Sequence, residues 1–593
     1  MKVPALLSLL LISPLLADEE KSIVAIYDLE GVISESGQPE ASLLGGFGME
    51  ANRPLTLFDV TRSLAAAADD SAVKAVVLDI DDAALGLAQI QEIRRRLQEV
   101  RAAGKDVWLY TDSFNNASAL LGSAANHFTL MPEGDVSFSG LYSESMYFKG
   151  LLDKAGVVAD VIHIGDFKSF GEEYYRTGPS DFAKQQQEEL IGGIFDQLVT
   201  AIADGRQVPR EKVESMVDLG TFTPDEAKDA GLVDELKYRT DFSAAVRASY
   251  EGADFQHGYS LPDLDGPEID GVFDVFKLMF ESGQSKKEKT DYIAVVPLQG
   301  GISNESIAPV RSQILKLLKD EHAKALVLRV DSPGGSALAS EVLWEATDEW
   351  KSAGRPFVVS MGGVAASGGY YVSSGADRIF AESGTVTGSI GVVGMKLVLG
   401  KALENLGITT HATARGKNAG AMSMFHSFTE DEAKLVRDSM LQVYGTFKKR
   451  IEDGRGDRLN GDLEGMAGGR VFTGNRALEL GLVDELGGLG EAIAYAAAES
   501  ETDEESIKLL PKPKSPLEGL FAKPEKADDG EIIRMGQTAN PITDVVEAAF
   551  EEEKLSFLPA AVRDVCQQVL DQINSCSDSS IQLIGPQISI PLK

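Results

Sequence analysis

The chain has 593 residues, 43 % hydrophobic and 25 % charged, enough for two large folded domains and their linkers. Its 92 acidic against 56 basic residues leave a net charge of −36 and a pI near 4.6, a surface that repels phosphate backbones and so argues against nucleic-acid binding. Only Cys566 and Cys576 occur, and the six histidines show no HExxH spacing; one disulfide is conceivable, and no metal site is expected.

In chain order, residues 1–17 read as a secretory signal: Lys2, an apolar run from Val3, and a small residue for a cut after Ala17. Leu15 suits that cut poorly, so an uncleaved signal anchor is the alternative; the run is short of the roughly 20 residues that span a bilayer. Residues 18–250 then carry strand-like runs from Ser22, at 75–80, at 107–110 and at 127–131, with a helical stretch at 86–104. Between its first two strands this set carries 19 more residues than the later set at 291–500, and that insertion, rich in Gly, Pro and Leu, reads as a surface loop or lid. Residues 251–290 read as an interdomain linker with one packing helix at the apolar patch Val272–Phe280, membrane contact being the alternative. A second set of strands and helices fills 291–500, with strands from Tyr292, at 325–331, at 357–361 and at 378–382. Residues 501–593 read as an accessory tail, partly disordered. Strands alternating with helices of this length indicate an α/β fold built of βαβ units around a mostly parallel sheet.

The two sets are copies. GLVDEL at 231–236 recurs at 481–486, and the same step takes Lys74-Ala75 to Lys324-Ala325 and Gly104 to Gly354. Gly156 to Gly407 and Gly165 to Gly416 keep that step with one residue added. The fold is therefore a tandem duplication, and the copies differ where chemistry is expected.

The C-terminal copy carries Asp331-Ser332-Pro333-Gly334-Gly335 after a buried strand, and AASGGYY around Ser367 after the next strand. Glycines let such strand-to-helix turns run tight, and a serine at a helix start exposes its hydroxyl. The N–H groups of Gly335 and Gly368 are candidate oxyanion donors for acyl transfer at Ser367. The alternatives are plain tight turns, or a phosphate cradle. The N-terminal copy has Asp81-Asp82-Ala83-Ala84-Leu85 in place of DSPGG, and Asn116 or Ala117 in place of the serine, with Ser118 one step on. Conversely Lys168, in Gly165-Asp166-Phe167-Lys168-Ser169, aligns with Ala419. One copy keeps a serine and the other a lysine, as expected if both build one site, with a desolvated Lys168 as general base. Lys417, two positions from the aligned site, is the rival base; a Ser–His pair through His411 or His426 is the other alternative.

These motifs, VDSPGGSA, SMGGVAASGGYY, TGSIGVVG and RVFTGNRALELGLVDELGG with GDFKSFGEEYYRTGPS in the first copy, resemble those of signal peptide peptidases of the double-length protease IV type. The resemblance spans roughly residues 22–500 and leaves the tail outside. It implies a fold like Clp protease and crotonase, a Ser/Lys dyad of Ser367 and Lys168, and a lysine-orienting hydroxyl on Ser389 in TGSIG. It also implies a homo-oligomer, no cofactor, and an exported enzyme on the periplasmic side of the inner membrane, anchored or soluble. Its expected substrates are cleaved signal peptides and other short unfolded apolar peptides. A non-catalytic oligomeric peptide-binding scaffold and a crotonase-type acyl-CoA enzyme are the readings from other classes.

Overall fold

The computed structural model describes residues 21–35, 55–80, 83–262, 290–405, 407–511 and 582–584. In the first copy the strands are β1 (Ile23–Asp28), β2 (Gly31–Val32), β3 (Val73–Asp79), β4 (Ala83–Ala84), β5 (Asp106–Asn115), β6 (His127–Ser137), β7 (Val158–Ile164), β8 (Glu235–Leu236) and β9 (Asp254–His257). The second copy opens with β10 (Tyr292–Ile302), β11 (Ala323–Ser336), β12 (Phe357–Ala366), β13 (Arg378–Ala381) and β14 (Val386–Gly388). It continues with β15 (Val392–Val398), β16 (Val471–Thr473), β17 (Glu485–Leu486), β18 (Ile507–Leu509) and β19 (Gln582–Ile584).

The duplication is written in the topology. One sheet runs β8-β6-β5-β3-β1-β9 with every neighbouring pair parallel. The other contains β17-β13-β12-β11-β10-β18, the same order and again all parallel. β9 and β18 are therefore equivalent sixth strands. They fall in stretches read as linker and tail because each is short and only half-buried, with no apolar run to mark it.

Both faces of each sheet are covered, which is why the central strands are continuous apolar runs. In the second copy the helices Asn304–Leu318 and Ala337–Ser352 put Ile307, Ile314, Leu343 and Trp350 on one face. The helix Leu489–Ser500 lays Leu489, Ala492 and Ile493 on the other, against Val295, Val327 and Val358. In the first copy Leu57–Asp69 and Leu87–Ala102 cover one face, and Arg239–Ser249 the other.

The helix Leu57–Asp69 precedes β3. Thr56 and Asp59 form a capping box at its start, and Leu57, Val60 and Leu64 are buried in the core. It is the counterpart of Asn304–Leu318, so the insertion read as a surface loop or lid comes before it, and residues 36–54 lie outside the described residues.

β7 leaves its own copy. It pairs antiparallel with β15 of the second copy, from Val158 opposite Val398 to Ile164 opposite Val392. The counterpart stretch 408–414 in the second copy is exposed and not a strand. The copies are also joined by charge: the buried Arg329 guanidinium on β11 meets Glu35 at 3.0 Å and Glu92, on the helix Leu87–Ala102, at 2.6 Å. Arg95 from the same helix pairs with buried Glu382. Burial raises the Glu382 carboxyl to about 7 against the pull of Arg95.

No helix among the described residues is long and apolar enough to cross a membrane. The signal-like residues 1–17, the apolar patch Val272–Phe280, and Cys566 and Cys576 lie outside the described residues.

Candidate active site

Two strand ends set the site. Ala366, the last residue of β12, is paired with Gly388, the last residue of β14. Ser367 and Ser389 follow directly, and both have φ of 54°, a left-handed conformation that costs a non-glycine residue about 1–3 kcal/mol. Ser367 N donates to Gly388 O at 2.8 Å, and Ser389 N donates to Arg470 O at 2.6 Å. Ser367 is the N-cap of the helix Gly368–Ser373, with ψ of −111°. Such a sharp strand-to-helix turn is the geometry that presents a nucleophilic hydroxyl clear of its own backbone.

The lysine arrives from the other copy. After β7, Gly165 turns the chain at φ 109°, and a Cβ there would lie 2.4 Å from Gly468 backbone. Phe167 N donates to Gly468 O at 2.9 Å, and the Arg470 guanidinium lies over the Phe167 ring at 3.6 Å. This turn places Lys168 Nζ 2.8 Å from Ser367 Oγ, 3.0 Å from Ser389 Oγ and 3.0 Å from Ser389 O. Lys168 is 2 % exposed and Ser367 0 %. Loss of water alone drives the Lys168 amine well below its ordinary 10.5. A neutral amine has two N–H groups and one lone pair. Donation to the Ser389 carbonyl and hydroxyl leaves the lone pair for the Ser367 hydroxyl proton.

Gly469 keeps this approach open. A Cβ on Gly469 would fall 2.4 Å from Lys168 N and 2.7 Å from Lys168 Cβ, and its φ of 86° disfavours any side chain. Gly469→Ala is expected to push the lysine back by a fraction of an ångström or more. Because misplacement by about 1 Å costs on the order of 10²-fold, kcat should fall strongly while KM moves little. Steady-state kinetics on a short apolar peptide checks the split.

The glycine pair lies against Gly368, the residue after Ser367. Ser332 Oγ donates to Gly300 O at 2.6 Å and accepts from Gly334 N at 3.1 Å, so the turn after β11's apolar run is fastened to β10. Gly335 admits no side chain, since a Cβ would sit 2.1 Å from Ile302 O. A Cβ on Gly368 would lie 3.2 Å from Gly335 N, so these two glycines are adjacent across the site. Asp331 Oδ1 accepts from Val364 N at 3.0 Å and braces the end of β12.

The rivals fall elsewhere. Lys417 is exposed and held by Asp431 at 2.7 Å, which raises its amine and keeps it charged. His411 and His426 are exposed; the His426 ring faces Ser427 O at 2.9 Å. In the first copy Asn115 ends β5 opposite Ser137 as Ala366 ends β12 opposite Gly388, so Asn116 stands in the place of Ser367, one of the two positions read from alignment. Ser118 Oγ there is spent on Asn115 N at 2.8 Å. The residue after β6, in the place of Ser389, is Phe138, packed with Phe114 and Phe222. An aromatic cluster fills the first copy's site.

Three contacts were hidden from sequence reading: the Ser389 carbonyl as an amine acceptor, the glycine-on-glycine seat of 165–168 on 468–469, and the Asp331 brace. The positions Gly165 and Gly416 mark the turn in both copies, and that is the one signal that pointed there. Among the described residues no group of His, Cys, Asp and Glu is placed to hold a metal ion.

Comparison with known proteins matches peptidase family S49 twice, over residues 99–251 and 349–503. Protease 4 of Salmonella typhi is 30 % identical over 494 residues, covering 80 % of this chain and 77 % of that protein. Protease 4 of Haemophilus influenzae is 29 % identical over 76 % of this chain and 74 % of its own length. The chloroplastic serine protease SPPA of Arabidopsis thaliana is 29 % identical over 75 % of this chain and 66 % of its own length.

Proposed function

This chain belongs to peptidase family S49 and is a serine protease, and on that premise we propose that Ser367 and Lys168 are its catalytic dyad, one residue from each copy. The observation that carries the reading is the 2.8 Å approach of a buried, uncharged-prone lysine amine to the Ser367 hydroxyl. Lys168 takes the proton as Oγ attacks a peptide carbonyl, and the resulting ammonium protonates the leaving amine. The N–H groups of Gly335 and Gly368 receive the oxyanion. Water, deprotonated by the same amine, then releases the acyl group from Ser367. Ser389 holds the amine with its carbonyl and hydroxyl and so fixes which way the lone pair points. No cofactor enters the chemistry.

The substrates in this reading are cleaved signal peptides and other short apolar peptides. The enzyme is exported through residues 1–17, anchored or released, and works as a homo-oligomer.

The pH dependence of kcat/KM tests the base. Only the neutral amine is active, and burial lowers its pKa. Activity therefore rises with pH through a single limb below 10.5 and stays high above it. Hydrolysis of an apolar peptide measured from about pH 6 to 10 reads this limb. A profile that rises only near 10.5, and that Lys417→Ala depresses, would give the role to an exposed lysine.

A further inference from the structure

One strand in the second sheet does not belong to either repeat. β19 lies between β11 and β15 and is antiparallel to both. Gln582 faces Ser336, Leu583 faces Gly335 and Ile584 faces Gly334, while Gln582 also faces Val393 across the other edge. The backbone it covers is that of the glycine pair beside Ser367. Without β19, the DSPGG edge of β11 and the start of β15 are two strand edges with a strand-wide slot between them. Such a slot takes an extended peptide by backbone pairing on both sides. The chain around β19 suits an apolar groove: from Ser579 to Leu592 it has no charged residue, in a chain with net charge −36.

We propose that Gln582–Ile584 is a tethered occupant of the peptide-binding groove, lying along Gly334–Ser336 as a substrate strand would and competing with substrate for it. The proposal rests on the reading of Gly335 as an oxyanion donor to Ser367. β19 occupies the backbone edge of Gly334–Ser336 that a substrate strand beside Ser367 would pair with, so substrate and β19 exclude one another there. Competition of this kind lowers apparent affinity by the fraction of time the groove is free: about tenfold if that fraction is about 10 %. It leaves the chemical step alone, because the dyad residues come from other segments.

The test uses the full chain carrying Ser367→Ala, so that binding is read without turnover. Successive N–H groups of a strand point to opposite edges, so Gln582→Pro with Leu583→Pro removes one donor towards each neighbour. The probe is a fluorescein-labelled peptide of residues 579–588, followed by anisotropy. The doubly substituted chain is expected to bind it about tenfold more tightly than the Ser367→Ala parent. Amide hydrogen exchange at 334–336 and 393 should speed up in the same variant, with the rest of the sheet unchanged. That second readout also shows that the fold is intact. Equal peptide affinity together with equal exchange overturns the tethered strand. The dyad is judged separately, by hydrolysis with Ser367 present, and loss of hydrolysis in the wild type would sink that reading whatever the binding result.

Discussion

Lys168→Met lowers kcat/KM for an apolar peptide by at least about 10³-fold, as much as Ser367→Ala does, and the double variant loses little more. The three results belong together because the two side chains act as one unit. Methionine fills nearly the same buried volume but has no lone pair of comparable basicity to take the proton. The same substitution should raise thermal stability. In the folded chain burial lowers the Lys168 pKa, while in the unfolded chain it is near 10.5. Between those values the unfolded state binds a proton that the folded state does not, so wild-type stability rises with pH through that window and falls as the pH drops. The stability advantage of the methionine variant is therefore largest at low pH and fades towards 10.5. Thermal melts of both proteins at several pH values, with peptide kinetics alongside, check both halves of the prediction. A methionine variant that is less active but also less stable at every pH would mean that Lys168 is a structural ion.

Arg329→Met is expected to destabilise the chain by about 3–5 kcal/mol, the largest loss from a single substitution far from the dyad. Its guanidinium is buried and joins Glu35 and Glu92 of the first copy to Ser360 Oγ, at 2.8 Å, and Met361 O, at 3.2 Å, of the second. Removal leaves two buried carboxylates unpaired between the copies. Burial already pushes Glu92 up, and without Arg329 it rises further. A carboxyl raised in the folded state loses stability as pH rises towards its folded pKa, so the deficit of the variant grows with pH. Adding Glu35→Gln and Glu92→Gln should recover much of the loss, because uncharged buried groups cost far less than an unpaired charge. Denaturant midpoints for the single and triple variants measure both effects. Activity should fall with the single variant as well, since β11 carries both Arg329 and Gly335.

The repeat made the proposed pair legible. GLVDEL supplied a register, and the register set Lys168 against Ala419 and left Ser367 with no nucleophilic counterpart. The structure then brings Lys168 and Ser367 together, although they lie far apart in sequence. What the register does not contain is the partner of each strand. β7 and 408–414 align, yet β7 crosses to pair with β15 while 408–414 forms no strand, and pairing of that kind depends on a neighbour rather than on local pattern. β9 and β18 were missed because three or four half-buried residues carry no period. The helix Leu57–Asp69 was not singled out, because the Gly- and Pro-rich residues before it dominate the composition, although its Thr56–Asp59 cap lay in plain view. Asn116 stands in the place of Ser367 in the first copy, one of the two positions that the one-residue gap between the registers left open. Phe138 in the place of Ser389 shows how the first copy's site was closed, and only the packing of Phe114 and Phe222 around it reveals that.

The central claim is that one active site is divided between two copies of the fold. The most direct measurement is the rate at which a fluorophosphonate probe phosphonylates Ser367, with loss of fluoride, in the wild-type chain and in Lys168→Met, followed by intact mass from about pH 6 to 10. Wild-type labelling is expected to rise through a limb below 10.5 and to map to Ser367, and the methionine variant is expected to be labelled at least about 10³-fold more slowly at every pH. Labelling of Lys168→Met at the wild-type rate, with the same pH dependence, would contradict the central claim and place the whole site within the second copy.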